Sequence, residues 1–153
     1  MLEFEHIIQV NDLTEEDLPI LTRTQLWEGL LLRARRPDKF NSSLKVTNTE
    51  YGEDEFERII EVGEHKFHER VMLYPDERIH TQTLEEYDQI FAESVTHLEE
   101  PEEGYLFVRF TYRRELEEDG SVDVGEHLQS AYLQTDRDAI VLIRSLAESG
   151  VFG

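Results

Sequence analysis

Apolar and polar residues alternate from the start of the chain: Leu2, Phe4, Ile8 and Val10 fall on one side and Glu3, Glu5 and Gln9 on the other. A period of two predicts a half-buried strand. After the acidic loop Asn11–Asp17, Thr22 and Gln25 have capping-box spacing ahead of Leu26, Trp27, Leu30, Leu31 and Ala34 at helical spacing. This predicts a helix to about Arg35, stopped by Pro37. A short helical turn around Phe40 and an extended stretch from Leu44 to Tyr51 follow. Phe56–Val62 and Phe67–Leu73 read as two strands of a hairpin, ended by Pro75-Asp76-Glu77. Ile79–Leu84 is a further short strand, and Gln89–Leu98 mixes Phe91, Ala92 and Val95 with polar residues. Pro101–Gly104 predicts a turn before the strongest strand pattern, Tyr105–Tyr112, whose Leu106, Val108, Phe110 and Tyr112 share a face, so that a central position is expected. From about Glu126 to Ser149, Leu128, Tyr132, Thr135, Ala139, Leu142, Ile143 and Leu146 recur every three or four residues before Gly150 at the C-cap. At about 1.5 Å per residue such a helix spans roughly 36 Å, enough to cross a whole sheet.

The order is strand, helix, helical turn, consecutive strands, long amphipathic helix. Strands in succession connect most economically as antiparallel neighbours, and the first strand must then pair within the later sheet. The expected fold is α+β: a curved antiparallel sheet of about seven strands around the long C-terminal helix, with two short helices after the first strand. A gap left between helix and concave face is a pocket. The chain has 153 residues and neither an internal repeat nor a Pro/Gly/Ser-rich linker, which predicts one domain over 1–153. The acidic run Glu115–Asp119 before Gly120 reads as a solvated hairpin or loop.

Charge narrows the partners. Thirty-five acidic against fifteen basic residues give a net charge of −20. Such a field repels phosphate backbones and anionic membrane surfaces, and no apolar run approaches the roughly 20 residues of a spanning helix. Nucleic-acid binding and membrane insertion are therefore not expected. The absence of cysteine excludes disulfides, thiolate nucleophiles and Cys-type metal sites, and Met1 is followed by no signal-like segment, so a cytoplasmic address is expected. Cations are mostly Arg, with Lys only at positions 39, 45 and 66. Adaptation to a salty cytoplasm and a merely acidic surface both fit.

Candidate chemistry lies in the hairpin. A turn at Glu64-His65 sets Ile60 opposite Glu69 and Arg58 opposite Val71, and puts Phe56, Arg58, Ile60, Val62, Phe67, Glu69, Val71 and Leu73 on one largely apolar face. Arg58 and Glu69 are then diagonal neighbours among hydrophobics, either a structural ion pair or an anchor for a ligand carbonyl or carboxylate. On the other face Glu61 stands opposite His68 and Glu57 diagonal to Arg70. Trp27 packs the core or closes one end of a pocket; Tyr112 and Tyr132 can present hydroxyls to it, and Phe56 and Phe110 supply apolar wall. His6 and His80 are core residues or pocket titrators, and His65 and His68, three apart in a strand, point to opposite faces and make poor joint metal ligands. No metal site or cofactor is expected. The signatures of common hydrolases, NTPases, zincins and dinucleotide enzymes do not occur.

Phe4–Val10, the Leu21-Thr22-Arg23-Thr24-Gln25-Leu26-Trp27-Glu28-Gly29-Leu30 helix start, the Phe56–Val71 hairpin, the Leu106/Val108/Phe110/Tyr112 strand and the Ile140–Leu146 tail together resemble the SRPBCC, or START-like helix-grip, superfamily, and within it the AtaL-like branch. The resemblance covers nearly the whole chain and rests on packing motifs. It implies a deep apolar cavity for lipids, polyketides or other hydrophobic metabolites, in a superfamily that includes carriers, receptors, cyclases and a chaperone activator. It transfers no catalytic residue. The expectation is a binder of a small apolar metabolite, with a cyclase or dehydratase, in which Arg58 polarises a carbonyl and Glu69 or a histidine moves a proton, and a protein-interaction module as alternatives. A homodimer through an open strand edge is left open.

Overall fold

A computed structural model describes residues 1–116 and 124–153. β1 (Leu2–Gln9) is followed by α1 (Arg23–Arg35), a 3-10 turn (Pro37–Lys39), β2 (Lys45–Glu50), β3 (Glu55–Val62), β4 (His65–Tyr74), β5 (Arg78–Thr83), β6 (Ala92–Glu102), β7 (Tyr105–Arg114) and α2 (Val124–Glu148). The strands form one antiparallel sheet in the order β1-β7-β6-β5-β4-β3-β2. β2 to β7 thus meander, and β1 closes on the last strand. β7 is sandwiched between β1 and β6 but lies next to an edge, and the middle of the sheet is β5. The acidic run after Glu115 falls mostly outside the described residues.

Thr22 caps α1 in the predicted way, its hydroxyl accepting from the Gln25 backbone while the Gln25 side chain accepts from Thr22 N–H. The hairpin differs from expectation by two residues. Gly63 and Glu64 form the turn, with Gly63 at φ 58° as the type II′ geometry requires at its first position, so that Val62 pairs with His65, Ile60 with Phe67 and Arg58 with Glu69. A shift of two preserves the face each side chain occupies. The predicted face holds, and Arg58 and Glu69 become direct rather than diagonal partners; on the other face Glu57 lies opposite Arg70, and Glu61 opposite Lys66 instead of His68. β6 continues through Pro101 to Glu102 with an irregular register after Glu99, which shortens the expected turn to Glu103-Gly104.

α1 and α2 cover the concave face. Leu26, Trp27 and Leu30 from α1 and Ile140, Ile143 and Ala147 from α2 join Phe56, Val71, Leu106, Val108 and Phe110 in one buried cluster. Gly29 lets the helices approach, since a Cβ there would collide with the Ile143 side chain. The buried stripe of α2 is Asp136, Ala139, Ile140, Ile143 and Ala147. Thr135, read from spacing as part of the stripe, is exposed, and its neighbour Asp136 takes the buried position. Among the described residues no helix is long and apolar enough to cross a membrane.

Candidate functional site

Strand register places side chains in rows across the concave face. One row reads Arg58, Glu69, Thr83, with Ala92 and Arg114 continuing it; the next reads Phe56, Val71, Thr81, Ser94, Tyr112, Phe4; a third reads Leu73, Ile79, Thr96, Phe110, His6. The outer strands fill their rows with large apolar groups that meet the helices. At the centre, β5 and β6 contribute Thr81, Ser94 and Thr96, whose short side chains leave the space above them unfilled. The result is a cavity of about 330 Å³ between sheet, α1 and α2, with Thr81, Ser94 and Thr96 as floor and Leu30, Arg33, Tyr132 and Asp136 among its walls. None of those three hydroxyls has a hydrogen-bond partner among the described residues.

The electrostatic centre of this wall is Asp136, with no exposed surface. Tyr112 donates its hydroxyl within 2.6 and 2.8 Å of both carboxylate oxygens. Arg33 Nη2 donates to Oδ1 at 2.8 Å, and His6 Nε2 lies 2.7 Å from Oδ2, which places the His6 proton on Nε2 against the carboxylate. Four elements, β1, α1, β7 and α2, therefore meet at one side chain. A carboxylate taken wholly out of water needs such partners, because desolvation alone would cost several kcal/mol. His6 is held between Phe4 and Phe110 with ring centroids 5.5 and 5.0 Å away. Burial first, and then the Asp136 charge, push the Tyr112 hydroxyl far above the usual phenol range. Tyr112 thus stays a protonated donor at neutral pH.

Arg58 lies on the floor of the same cavity, nearly buried. Its Nε and Nη2 reach Glu69 Oε1 at 3.0 and 2.9 Å, and its Nη1 donates to the Ala34 carbonyl at 2.6 Å. Ala34 belongs to the last turn of α1, where carbonyls lack helical partners. Arg58 therefore ties β3, β4 and α1 together, and two of its five N–H groups remain for other acceptors. Glu69 faces a second, outer cavity of about 800 Å³, bounded also by Phe67, Ile90 and Arg114. Gln89 fixes the wall of that cavity by bonding both backbone groups of His68, at 3.1 and 2.9 Å.

Of the sequence-predicted residues, Arg58, Tyr112 and Tyr132 line the inner cavity, and Glu69 and Tyr132 the outer one. Phe56, Phe110 and Trp27 are buried in the core beside the cavities and line neither. His80 pairs with Glu93 at 2.9 Å on the opposite face of the sheet. Arg33, Asp136 and the Thr81/Ser94/Thr96 floor were not anticipated. The alternation along β6 was the available signal, with Ser94 and Thr96 in register with inward residues of β7. Among the described residues no three His, Asp or Glu side chains are grouped to hold a metal ion.

A family model described as acetylaranotin biosynthesis cluster protein L (AtaL) matches residues 8–150. No curated protein matches the sequence. Among solved structures, the fold is similar to the di-domain ARO/CYC StfQ from the steffimycin biosynthetic pathway, with a TM-score of 0.74 at 10% identity over 98% of this chain and 51% of that one. It is similar to the Zhui aromatase/cyclase from Streptomyces sp. R1128, with a TM-score of 0.62, 16% identity and coverage of 97% and 94%. Norcoclaurine synthase from Thalictrum flavum, in complex with dopamine and hydroxybenzaldehyde, gives 0.66 at 12% identity, with 96% and 86% covered. The chain spans about half the length of the di-domain proteins it matches. At such identities the likeness is one of fold, and that fold is the helix grip.

Proposed function

Because the chain belongs to the acetylaranotin biosynthesis cluster protein L family, within the helix-grip superfamily, we propose that it binds one small, mostly apolar but oxygen-bearing metabolite in the cavity between sheet and α2. The observation that carries this reading is the floor of that cavity. Three small residues whose hydroxyls have no partner among the described residues, Thr81, Ser94 and Thr96, occupy the middle of the sheet where aliphatic side chains would pack against the helices. Two guanidinium groups, Arg33 and Arg58, and the Tyr112 and Tyr132 rings complete a site suited to a flat molecule with carbonyl or hydroxyl groups on its rim. A purely hydrocarbon ligand would leave the Thr81, Ser94 and Thr96 hydroxyls of the floor dry and unpaired, at a cost of about 1–3 kcal/mol each.

Titrating 2-naphthol calorimetrically into the full chain tests this. One-to-one binding is expected for the wild type, and loss of binding for Ser94→Phe, whose ring fills the floor. Binding unchanged in a folded Ser94→Phe protein would place the ligand elsewhere and overturn the reading.

A second reading, a cyclase or dehydratase, is favoured by one specific observation: a fully buried carboxylate on the cavity wall, joined to a tyrosine held protonated. In that reading a guanidinium stabilises charge developing on a ligand carbonyl while the Tyr112 hydroxyl takes a proton from the ligand and passes its own to Asp136. Glu69, turned toward the outer cavity, is less well placed for it. Loss of turnover in Asp136→Asn with ligand affinity retained is the expected signature; turnover surviving in both Asp136→Asn and Arg58→Ala would dismiss it.

A further inference from the structure

The two cavities lie in succession along the strands, and among the described residues Tyr132 lines both. On the sheet the boundary falls between two neighbouring rows: Thr81, Ser94 and Tyr112 line the inner space, and Glu69, Thr83, Ala92 and Arg114 the outer. From above, the Tyr132 ring descends from α2 and stacks on Tyr112, with ring centroids 3.9 Å apart and planes 7° from parallel. The platform is rigid, because the Tyr112 hydroxyl is held by both oxygens of the buried Asp136. Tyr132 itself is half-buried, and its hydroxyl has no hydrogen-bond partner among the described residues. Among the described residues its place is set by ring stacking, which a competing apolar or aromatic group can displace.

We infer that Tyr132 sets the length of ligand this protein accepts, dividing the inner chamber of about 330 Å³ from the outer one of about 800 Å³ where its ring stacks on Tyr112. A compact ligand fits inside Tyr132. A longer one must move the ring off Tyr112 before its tail reaches the outer space past Phe67 and Ile90. The inference rests on the ligand-binding reading above, and it adds a specificity-determining residue to it.

The 4-alkylphenols from 4-methylphenol to 4-octylphenol, titrated calorimetrically into the full chain, test it. In the wild type, affinity is expected to climb by about fourfold per added methylene, the equivalent of ~0.8 kcal/mol for a buried CH₂, and to level off once the chain meets Tyr132. In Tyr132→Ala the climb is expected to continue for about two further methylenes, so that 4-octylphenol gains roughly tenfold or more over wild type. Tyr132→Phe is expected to keep the wild-type profile, because the ring that stacks on Tyr112 is retained. Should the alanine variant fail to melt cooperatively, Tyr132→Leu, which keeps the apolar bulk but not the stacked ring, is expected to shift the plateau in the same direction. A plateau at the same chain length in wild type and in a folded Ala or Leu variant overturns the inference and leaves the cavity reading intact. No binding of any member to the wild type removes the cavity reading and this inference together.

Discussion

Asp136 concentrates more of the site than any other residue: its carboxylate holds a cation, a histidine and a tyrosine from three other elements while itself shut from water. Breaking a buried ion pair from one side leaves the other charge unpaired, so Asp136→Ala is expected to cost roughly 3–5 kcal/mol in urea unfolding. Asp138→Ala, exposed two residues on, is expected to stay within about 0.5 kcal/mol. Tyr112 yields a pH dependence with a definite sign. Its folded-state pKa is raised, so between the unfolded value near 10 and its own value the native state binds the extra proton and stability falls as pH rises. Alkaline destabilisation is expected to begin above about pH 10, and Tyr112→Phe to flatten it by up to about 1.4 kcal/mol per pH unit. Denaturant midpoints at several pH values check this; equal slopes in both proteins would show that Tyr112 is not the group responsible. Sequence spacing exposed Tyr112 because it continues the apolar face of β7. It concealed Asp136 because an aspartate among Gln134, Thr135, Arg137 and Asp138 reads as helix surface, and its partners lie 130, 103 and 24 residues away.

At the scale of elements, the contact between α1 and α2 turns on Gly29 against Ile143. Gly29→Ala is expected to destabilise by about 1–3 kcal/mol through overpacking, even though alanine favours helix. Ile143→Ala in the same chain should recover part of that loss, a coupling that a double-mutant cycle reads directly. Additive losses would mean the helices do not meet there. The elements legible in the sequence were β1, α1, the β3–β4 hairpin, β5, β7 and α2, most of which carry aliphatic or aromatic residues on their inward faces. β6 was obscure for the opposite reason, since Ser94 and Thr96 point inward while Val95 points out. The strand that carries the cavity floor departs from the core pattern because a cavity needs small polar groups where a core would put large apolar ones. The hairpin register was missed by two residues because the turn is set by the left-handed Gly63, one position earlier than the Glu64-His65 centre suggested.

The order of elements along the chain was enough to anticipate the sheet and the helix it grips, since successive strands prefer to pair as neighbours. It could not say which strand becomes central, which depends on where β1 returns, or how charge is distributed over the surface. The outward face of the sheet carries much of that charge as cross-strand pairs: Arg113 with Glu3 and Glu93, Arg109 with Glu5 and Glu99. Such exposed pairs contribute about 0–1 kcal/mol each, and salt weakens them. The net charge of −20 opposes compaction over the whole molecule, and salt weakens that repulsion too. With fifteen cations among thirty-five anions repulsion outweighs pairing, so the melting temperature is expected to rise as salt goes from about 0.01 to 1 M and the Debye length falls from ~30 to ~3 Å. A fall would mean the pairs dominate. The claim on which the rest depends is that the space between sheet and α2 is a ligand site. The most direct measurement of it is an NMR search for intermolecular NOEs between 2-naphthol and the protein. Contacts from the naphthol protons to Thr81, Ser94, Tyr112 and Tyr132 are expected; NOEs confined to residues outside that cavity, or none at saturating 2-naphthol, would contradict it.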